Sequence, residues 1–544
     1  MTITRRSFVT RSGCALVSAA CAPSLIARAN DYDLVIRGGN LFDGTGAPGR
    51  ELDLGIANGR IAAIAPRIGE RGKEEIDARG LAVAPGFIDI HSHGDGTLTE
   101  DPRAESVIRQ GITTIVSGVD GSSRANGRPG ISFATLFDSI DALHPSPNVA
   151  SMVGLGTIRG AVVGDTDRPA KPDELTRMTA MVESALADGA CGTSSGLEYT
   201  PGAFASRDEL IALCRPLAGR RLPYATHMRN EDDRLLDAID ESIAVARGAG
   251  CPLQISHLKT QGPRNWGRLD EVFRHIDDAR RAGVDVAFDR YPYVAYATGL
   301  TNLFPVWSRD GGIDAFLARL ADPAVSPKIR QETLAKVDLI GGWDNAQITS
   351  VQAAEDRTAE GKRLGSYARA MNSDPYELTL NLLRRNRGEV GMVGFAMSEN
   401  NLERILSHPL GMVCTDGGAF AVDGPTRRGS PHPRGAGSFP RVLARYVRER
   451  KVLTLADAIR KMTLLPASRV NLADRGRLAV GLAGDVVVFD PARVADTATF
   501  EQPFQYPVGI SVVVVNGAVS LRDGQRSATG TGRALRVRGP GNTF

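Results

Sequence analysis

Pro85-Gly86-Phe87-Ile88-Asp89-Ile90-His91-Ser92-His93 is an apolar run that ends in two imidazoles two residues apart. Side chains at i and i+2 of an extended chain share a face, so His91 and His93 are placed to grip one ion together. The chain has only eight histidines in 544 residues. Two others also close short apolar runs: His227 in Leu222-Pro223-Tyr224-Ala225-Thr226-His227 and His257 in Pro252-Leu253-Gln254-Ile255-Ser256-His257. Four histidines at strand ends read as a metal site, because neutral imidazoles with an oxygen or sulfur donor are what a zinc ion takes.

Working outward, short apolar runs alternate with helical stretches, the pattern of successive βα units around a parallel sheet. The expected strands are 87–91, 112–116, 149–153, 191–195, 224–227, 253–257, 284–288 and 412–416. Eight such units close into an α/β (β/α)8 TIM-like barrel whose catalytic groups project from the carboxyl ends of the strands, where these histidines fall. A carboxylate, Asp416 in Gly411-Met412-Val413-Cys414-Thr415-Asp416-Gly417, ends the eighth. The stretch from Arg290 to His408 is too long for one crossover and reads as an insertion, part of it a cover for the site.

At both chain ends the pattern changes to alternating strands with turn signals. Asn58-Gly59 between Ile56 and Ile61 is a two-residue hairpin signal, and Asn516-Gly517 after Val512–Val515 repeats it. The expectation is a small β-sandwich built from residues 31–85 together with 470–535, flanking a catalytic barrel over 86–469.

A length of 544 residues exceeds a single core. Hydrophobic residues at 42% and charged residues at 23% fit a soluble enzyme, and a net charge of +3 with no basic run among aromatics gives no support to nucleic acid as a partner. Thr4-Arg5-Arg6-Ser7-Phe8-Val9, then a weakly apolar segment and Ala27-Arg28-Ala29, look like a twin-arginine export signal over residues 1–29. That implies a periplasmic or secreted protein with no stable membrane span. Lipoprotein anchoring at Cys21 is a weaker reading, because Ser18 stands where an aliphatic residue is usual. Cys191, Cys214, Cys251 and Cys414 match no zinc or redox spacing and read as buried core residues.

Four further stretches carry a family resemblance: Thr226-His227-Met228-Arg229-Asn230-Glu231, Ile255-Ser256-His257-Leu258-Lys259, Asp289-Arg290-Tyr291-Pro292-Tyr293, and His432-Pro433-Arg434 followed by Ser438-Phe439-Pro440-Arg441. Over residues 32 to 524 the chain resembles the D-aminoacylase, or N-acyl-D-amino-acid deacylase, family of the amidohydrolase superfamily. The resemblance implies one or two Zn²⁺ ions held by His91, His93, His227, His257 and Asp416, with His91 and His93 serving the second position. It implies a small N-acyl amino acid as substrate, its carboxylate met by Lys259 and Arg434 with Tyr291 donating a hydrogen bond. It also implies D-stereospecificity.

Relatives with a bridging carboxylated lysine carry it on strand four, but Cys191-Gly192-Thr193-Ser194-Ser195 has none. The resemblance instead implies a cysteine in a Gly-Asn-Cys-Gly turn after strand two. The matching turn here is Gly118-Val119-Asp120-Gly121, so Asp120 stands where the family has its thiolate. A carboxylate can bind or bridge zinc as a harder ligand; the competing reading is a turn residue that caps the following helix. The expected chemistry is amide hydrolysis by metal-bound hydroxide, with Asp416 as general acid and base. Two alternatives stay open: a cyclic-amide hydrolase or β-aspartyl dipeptidase on the same barrel, and a non-catalytic exported scaffold. Of the other histidines, His144 and His275 read as solvated, His408 as structural, and His432 as either positioning Arg434 or touching substrate.

Overall fold

Eight parallel strands, each buried on both faces, form the central ring of the protein. In chain order they are Phe87–Asp89, Ile112–Ser117, Asn148–Ser151 continued by Val153–Gly154, Thr193–Gly196, Tyr224–His227, Leu253–Ile255, Val286–Arg290 and Gly411–Val413. The structure is a computed structural model and describes residues 32–127 and 130–537. The export segment expected over residues 1–29, with Cys14 and Cys21, lies outside the described residues.

The runs are rich in Val, Ile and Phe, and their neighbours pair in register, for example Tyr224 with Leu253 and Leu253 with Val286. Helices such as Pro172–Asp188, Leu235–Ala249 and Leu269–Arg281 return the chain between strands and bury one face against them. The ring closes between its last and first strands through backbone bonds just past their ends: Asp416 N–H donates to His91 O and His93 N–H to Gly417 O, both at 2.9 Å. A second link lies beneath, where the Thr415 amide donates to Asp89 Oδ1 at 2.9 Å.

Three strands end earlier than the sequence suggests. The first stops at Asp89, the sixth at Ile255 and the last at Val413, so His91, His93, His257 and Asp416 lie beyond the regular ladder rather than on it. His91, His93 and Asp416 are held by the closing bonds and His257 by its amide bond to Asp289, not by a strand's two-residue alternation.

The chain ends build one nine-stranded sheet. Its path runs from Arg60–Ala65 through Arg50–Ala57 and Tyr32–Leu41 to Ala82–Pro85, then crosses to Val486–Phe489, Ile510–Val515, Ala518–Arg522 and Gln525–Arg526, with Gly72–Asp77 beside Tyr32–Leu41. The sheet folds over so that Arg60 and Ala483 bridge, and its core draws Leu34, Ile36, Leu54 and Ile56 from one half and Val486, Val488, Val512 and Val514 from the other. The expected sandwich is thus a single folded sheet. Asn58 and Asn516 both sit at positive φ before a glycine, the conformation that a two-residue hairpin turn requires.

The insertion has its own antiparallel sheet, Ala295–Gly299, Gly391–Phe395 and Ala346–Ser350, packed with helices between Gly312 and Ser407. Its first strand lies against the mouth of the barrel. Among the described residues no helix is long and apolar enough to cross a membrane, and the four described cysteines are buried and free.

Candidate metal centre

Asp120 is the hub of the barrel mouth. Its Oδ2 lies 3.2 Å from His91 Nε2, 3.5 Å from His93 Nε2 and 3.4 Å from His257 Nε2. The turn that carries it is tight: Gly118 and Gly121 flank it at φ of 70° and 76°, and a Cβ on Gly118 would come within 2.1 Å of Met152 O. The helix that follows, Phe133–Leu143, is capped by Ser132. Asp120 therefore caps no helix, and its carboxylate turns into the site.

Two ligand groups share this residue. His91, His93, Asp120 and Asp416 form one, and Asp120, His227 and His257 the other, with the potential ligand atoms of each within 4.8 Å of one another. In the first, Asp416 Oδ1 is 3.1 Å from His93 Nε2; in the second, His227 Nδ1 and His257 Nε2 are 3.0 Å apart. Asp120, His257 and Asp416 all take positive φ, of 51°, 35° and 49°. The left-handed region costs a residue with a side chain roughly 1–2 kcal/mol, and here it turns each group inward at a strand end.

These residues fit a metal ion. Asp120 Oδ1 is buried and makes no hydrogen bond, whereas a buried polar atom without a partner ordinarily costs about 1–3 kcal/mol. Nitrogen and carboxylate donors crowded on one point match the ligand chemistry of zinc and, lacking a thiolate, also that of harder divalent ions. Burial would raise the Asp120 carboxyl, but the His91 and His257 imidazoles outweigh it and hold the group well below the usual carboxylate range. Burial would lower His93, but Asp120 and Asp416 push it up to about 9.

A second layer orients the ligands. Asp289 accepts from the His257 amide at 2.8 Å and from Gln254 Nε2 at 2.7 Å, and its Oδ1 lies 3.5 Å from His91 Nδ1. Glu231 Oε1 lies 3.1 Å from His257 Nδ1 and accepts from Lys259 Nζ at 2.6 Å. Lys259 Nζ also lies 2.7 Å from the same Nδ1, so Lys259 and Glu231 together occupy that side of the ring and leave Nε2 toward Asp120. Glu198 stands on the far side of His227, its Oε2 3.5 Å from Nε2. Glu231 and Asp289 fall in the stretches that carry the family resemblance, but with no role assigned to them there. Glu231, four residues after His227, carried a local signal; Asp289 works across neighbouring strands and carried none.

The residues expected at the substrate carboxylate are also here, with partners the sequence did not show. Lys259 is buried and paired with Glu231. Arg434 Nη1 is 2.7 Å from Asp416 Oδ2 without hydrogen-bond alignment, so that donor is unspent, as is the buried Tyr291 hydroxyl. The Arg434 guanidinium lies 4.7 Å over the Tyr291 ring. His432 accepts from the Arg434 amide at Nδ1 (3.0 Å) and donates from Nε2 to Ala295 O (3.0 Å). Burial and the Arg434 cation hold its pKa well below the ordinary value, which keeps it neutral for that acceptor role. It positions Arg434. His144 is exposed, His275 pairs with Asp240 at 2.7 Å, and His408 packs on Phe273 and Phe288.

Comparison with known proteins adds an independent line. A model of the Amidohydrolase family matches residues 401–520. N-acyl-D-glutamate deacylase of Alcaligenes xylosoxydans xylosoxydans is 39% identical over 501 residues, covering 89% of this chain and 93% of that protein. D-aminoacylase of the same organism is 36% identical over 521 residues, covering 93% and 97%. The crystal structure of N-acyl-D-glutamate deacylase from Bordetella bronchiseptica, complexed with zinc and a phosphonate mimic of the tetrahedral intermediate, is similar with a TM-score of 0.79 at 37% identity, covering 93% of this chain and all of that one.

Proposed function

The chain belongs to the D-aminoacylase family of amidohydrolases, and from that premise we propose that it cleaves the amide bond of N-acyl-D-amino acids to a carboxylate and a free D-amino acid. The observation that carries the proposal is the shared position of Asp120 between two histidine pairs, with Asp416 beside His93.

His91, His93, Asp120 and Asp416 would hold one zinc ion, and Asp120, His227 and His257 another. Zinc bound there supplies a Lewis acid that brings the pKa of water to about 7 and polarises a carbonyl. Asp416 accepts the proton of the attacking water and returns it to the leaving nitrogen, so that the amine departs neutral. Arg434 and Tyr291, with their unspent donors, hold the substrate carboxylate; the planar fork of Arg434 suits a bidentate grip. Lys259 adds a point charge while its bond to Glu231 fixes its direction.

Three features bear against the alternatives. The fourth strand, Thr193–Gly196, offers no lysine for the bridging arrangement of the cyclic-amide branch. The donors at Arg434 and Tyr291 suit a free α-carboxylate. A scaffold relative would have no need of a complete ligand set. We also propose periplasmic export through the twin-arginine segment, which cell fractionation would test.

The deciding experiment is a screen of the zinc-loaded protein against N-acetyl-D- and N-acetyl-L-amino acids with metal analysis alongside. Release from the D series with stoichiometric zinc is expected. Release from the L series alone would overturn the proposal, and a protein that binds no zinc would be the scaffold.

A further inference from the structure

Three of the ligand imidazoles have a carboxylate behind them. Asp289 stands behind His91, and Glu231 spends Oε1 on His257 and Lys259. His227 turns Nδ1 toward His257 and Nε2 the other way, where Glu198 Oε2 lies at 3.5 Å and Glu231 Oε2 at 4.0 Å. Glu198 is thus the nearer carboxylate. It belongs to the loop after the fourth strand, Thr193–Gly196, and the ring of its neighbour Tyr199 packs 4.6 Å from the His227 ring.

This loop is gripped from the insertion. Asn302 Nδ2 donates to Glu198 Oε2 at 3.1 Å, Arg309 Nη2 to Glu198 O at 3.0 Å, and Thr298 Oγ1 to Tyr199 Oη at 3.3 Å. A further hold is electrostatic. Lys336, on the helix Ser326–Leu339, shares with Glu198, Asn302 and Arg309 a small cavity of about 220 Å³, and its Nζ donates to Asp232 Oδ2 at 2.5 Å. Burial would lower its pKa, but Glu198 first and Asp232 next raise it above the ordinary value, as befits a cation set between two carboxylates. One lysine of the insertion therefore answers two barrel loops, the one that carries Glu198 and the one that follows His227. Glu198, His227 and Glu231 also stand close enough to surround an ion, but Lys336 and Lys259 already neutralise the two carboxylates.

We propose that the insertion is a working part of the metal centre: through Asn302, Arg309 and Lys336 it holds Glu198 against Nε2 of His227. That keeps the ring's proton on Nε2 and commits Nδ1 to the ion shared with Asp120 and His257. Glu198, Asn302, Arg309 and Lys336 are positioning residues, acting on the ion through His227. The role rests on the metal-dependent deacylase reading and deepens it, because the insertion then sets how tightly the ion is held.

The test measures zinc Kd by chelator competition, the visible spectrum of the cobalt-substituted protein, and Tm. Glu198→Gln should weaken zinc binding about 10- to 100-fold, the usual cost of losing such an outer partner, and alter the cobalt spectrum. Lys336→Met and the milder Asn302→Ala should shift Kd in the same direction by smaller factors. Glu198→Gln combined with Lys336→Met should bind zinc within about twofold of Glu198→Gln alone, since both act through one carboxylate. Asn386→Ala is the control for general loosening: its bonds to Gln352, Ala353 and Asp356 lie within the insertion, so Tm should fall with Kd unchanged. An unchanged Kd in both Glu198→Gln and Asn302→Ala would overturn the proposal, as would an Asn386→Ala variant that loses zinc as badly as they do. Full additivity of Glu198→Gln and Lys336→Met would separate the lysine from the carboxylate and overturn the link to the insertion. Kd and spectrum are read without turnover, so a protein that binds zinc as expected yet hydrolyses no N-acyl-D-amino acid would overturn the deacylase reading and leave this one standing.

Discussion

Arg434 Nη1 stands 2.7 Å from Oδ2 of Asp416, so the group assigned to the substrate's carboxylate and the group assigned to proton transfer lean on each other at the barrel mouth. Removing the guanidinium deletes a carboxylate anchor but none of the ligand atoms. Hydrogen bonds to charged groups contribute about 1.5–3 kcal/mol, which is roughly 10- to 150-fold in an equilibrium constant. Arg434→Ala should raise KM by that order with zinc content unchanged. A parallel loss of zinc would show that Arg434 serves the metal centre rather than the substrate.

Asp416→Asn keeps the shape of the side chain and removes its basicity. General acid–base groups contribute about 10²- to 10⁴-fold, and Asp416 is also a ligand candidate, so turnover should fall by at least about 10³-fold. His91, His93 and Asp120 remain around that position, so part of the metal should stay, as elemental analysis would show. Full activity in this variant would end the assignment.

Asp120 is the one residue common to both ligand groups. Asp120→Ala should therefore strip metal from both positions after dialysis. Asp120→Cys should restore binding and shift preference toward zinc over manganese, since a thiolate is softer than a carboxylate. Competitive metal titration reads both outcomes. Retention of two equivalents by the alanine variant would return Asp120 to the role of a plain turn residue.

Glu231→Gln leaves Lys259 buried with a weakened partner and His257 without its carboxylate. Loss of such an outer partner typically costs 10- to 100-fold in metal affinity, and a disrupted buried ion pair costs stability as well. A weaker zinc Kd together with a lower Tm is the expected pair of results. An unchanged Kd would place Glu231 outside the metal's support.

Chelation should abolish activity and zinc should restore it, while far-UV circular dichroism stays constant. The ring is closed by backbone bonds between His91 and Asp416 and between His93 and Gly417, so the barrel does not depend on the ion for its closure. Unfolding on chelation would contradict this.

The sequence carried the barrel because parallel strands buried on both faces leave dense apolar runs; Tyr224–His227 has the same ends in both descriptions. It placed His91, His257 and Asp416 on strands and His93 just past one, where the structure has all four beyond strand ends. Side chains that leave the ladder through positive φ or irregular backbone no longer obey the two-residue rule from which they were read. The candidate ligands could be named one by one, but their company could not. That Asp289 serves both His91 and His257, or that Lys259 is tied to Glu231, depends on which strands end up adjacent, and no local pattern encodes that.

The pairing of Ala82–Pro85 with Val486–Phe489 joins segments about 400 residues apart along the chain. During synthesis the amino-terminal half of that sheet must therefore wait, its bonding edge open, until almost the whole polypeptide has left the ribosome. An open edge of this kind is a template for wrong partners, and late, long-range closure is intrinsically slow. The protein should need chaperone protection of its first ninety residues, and chains released before Val486 should aggregate rather than accumulate as an active barrel.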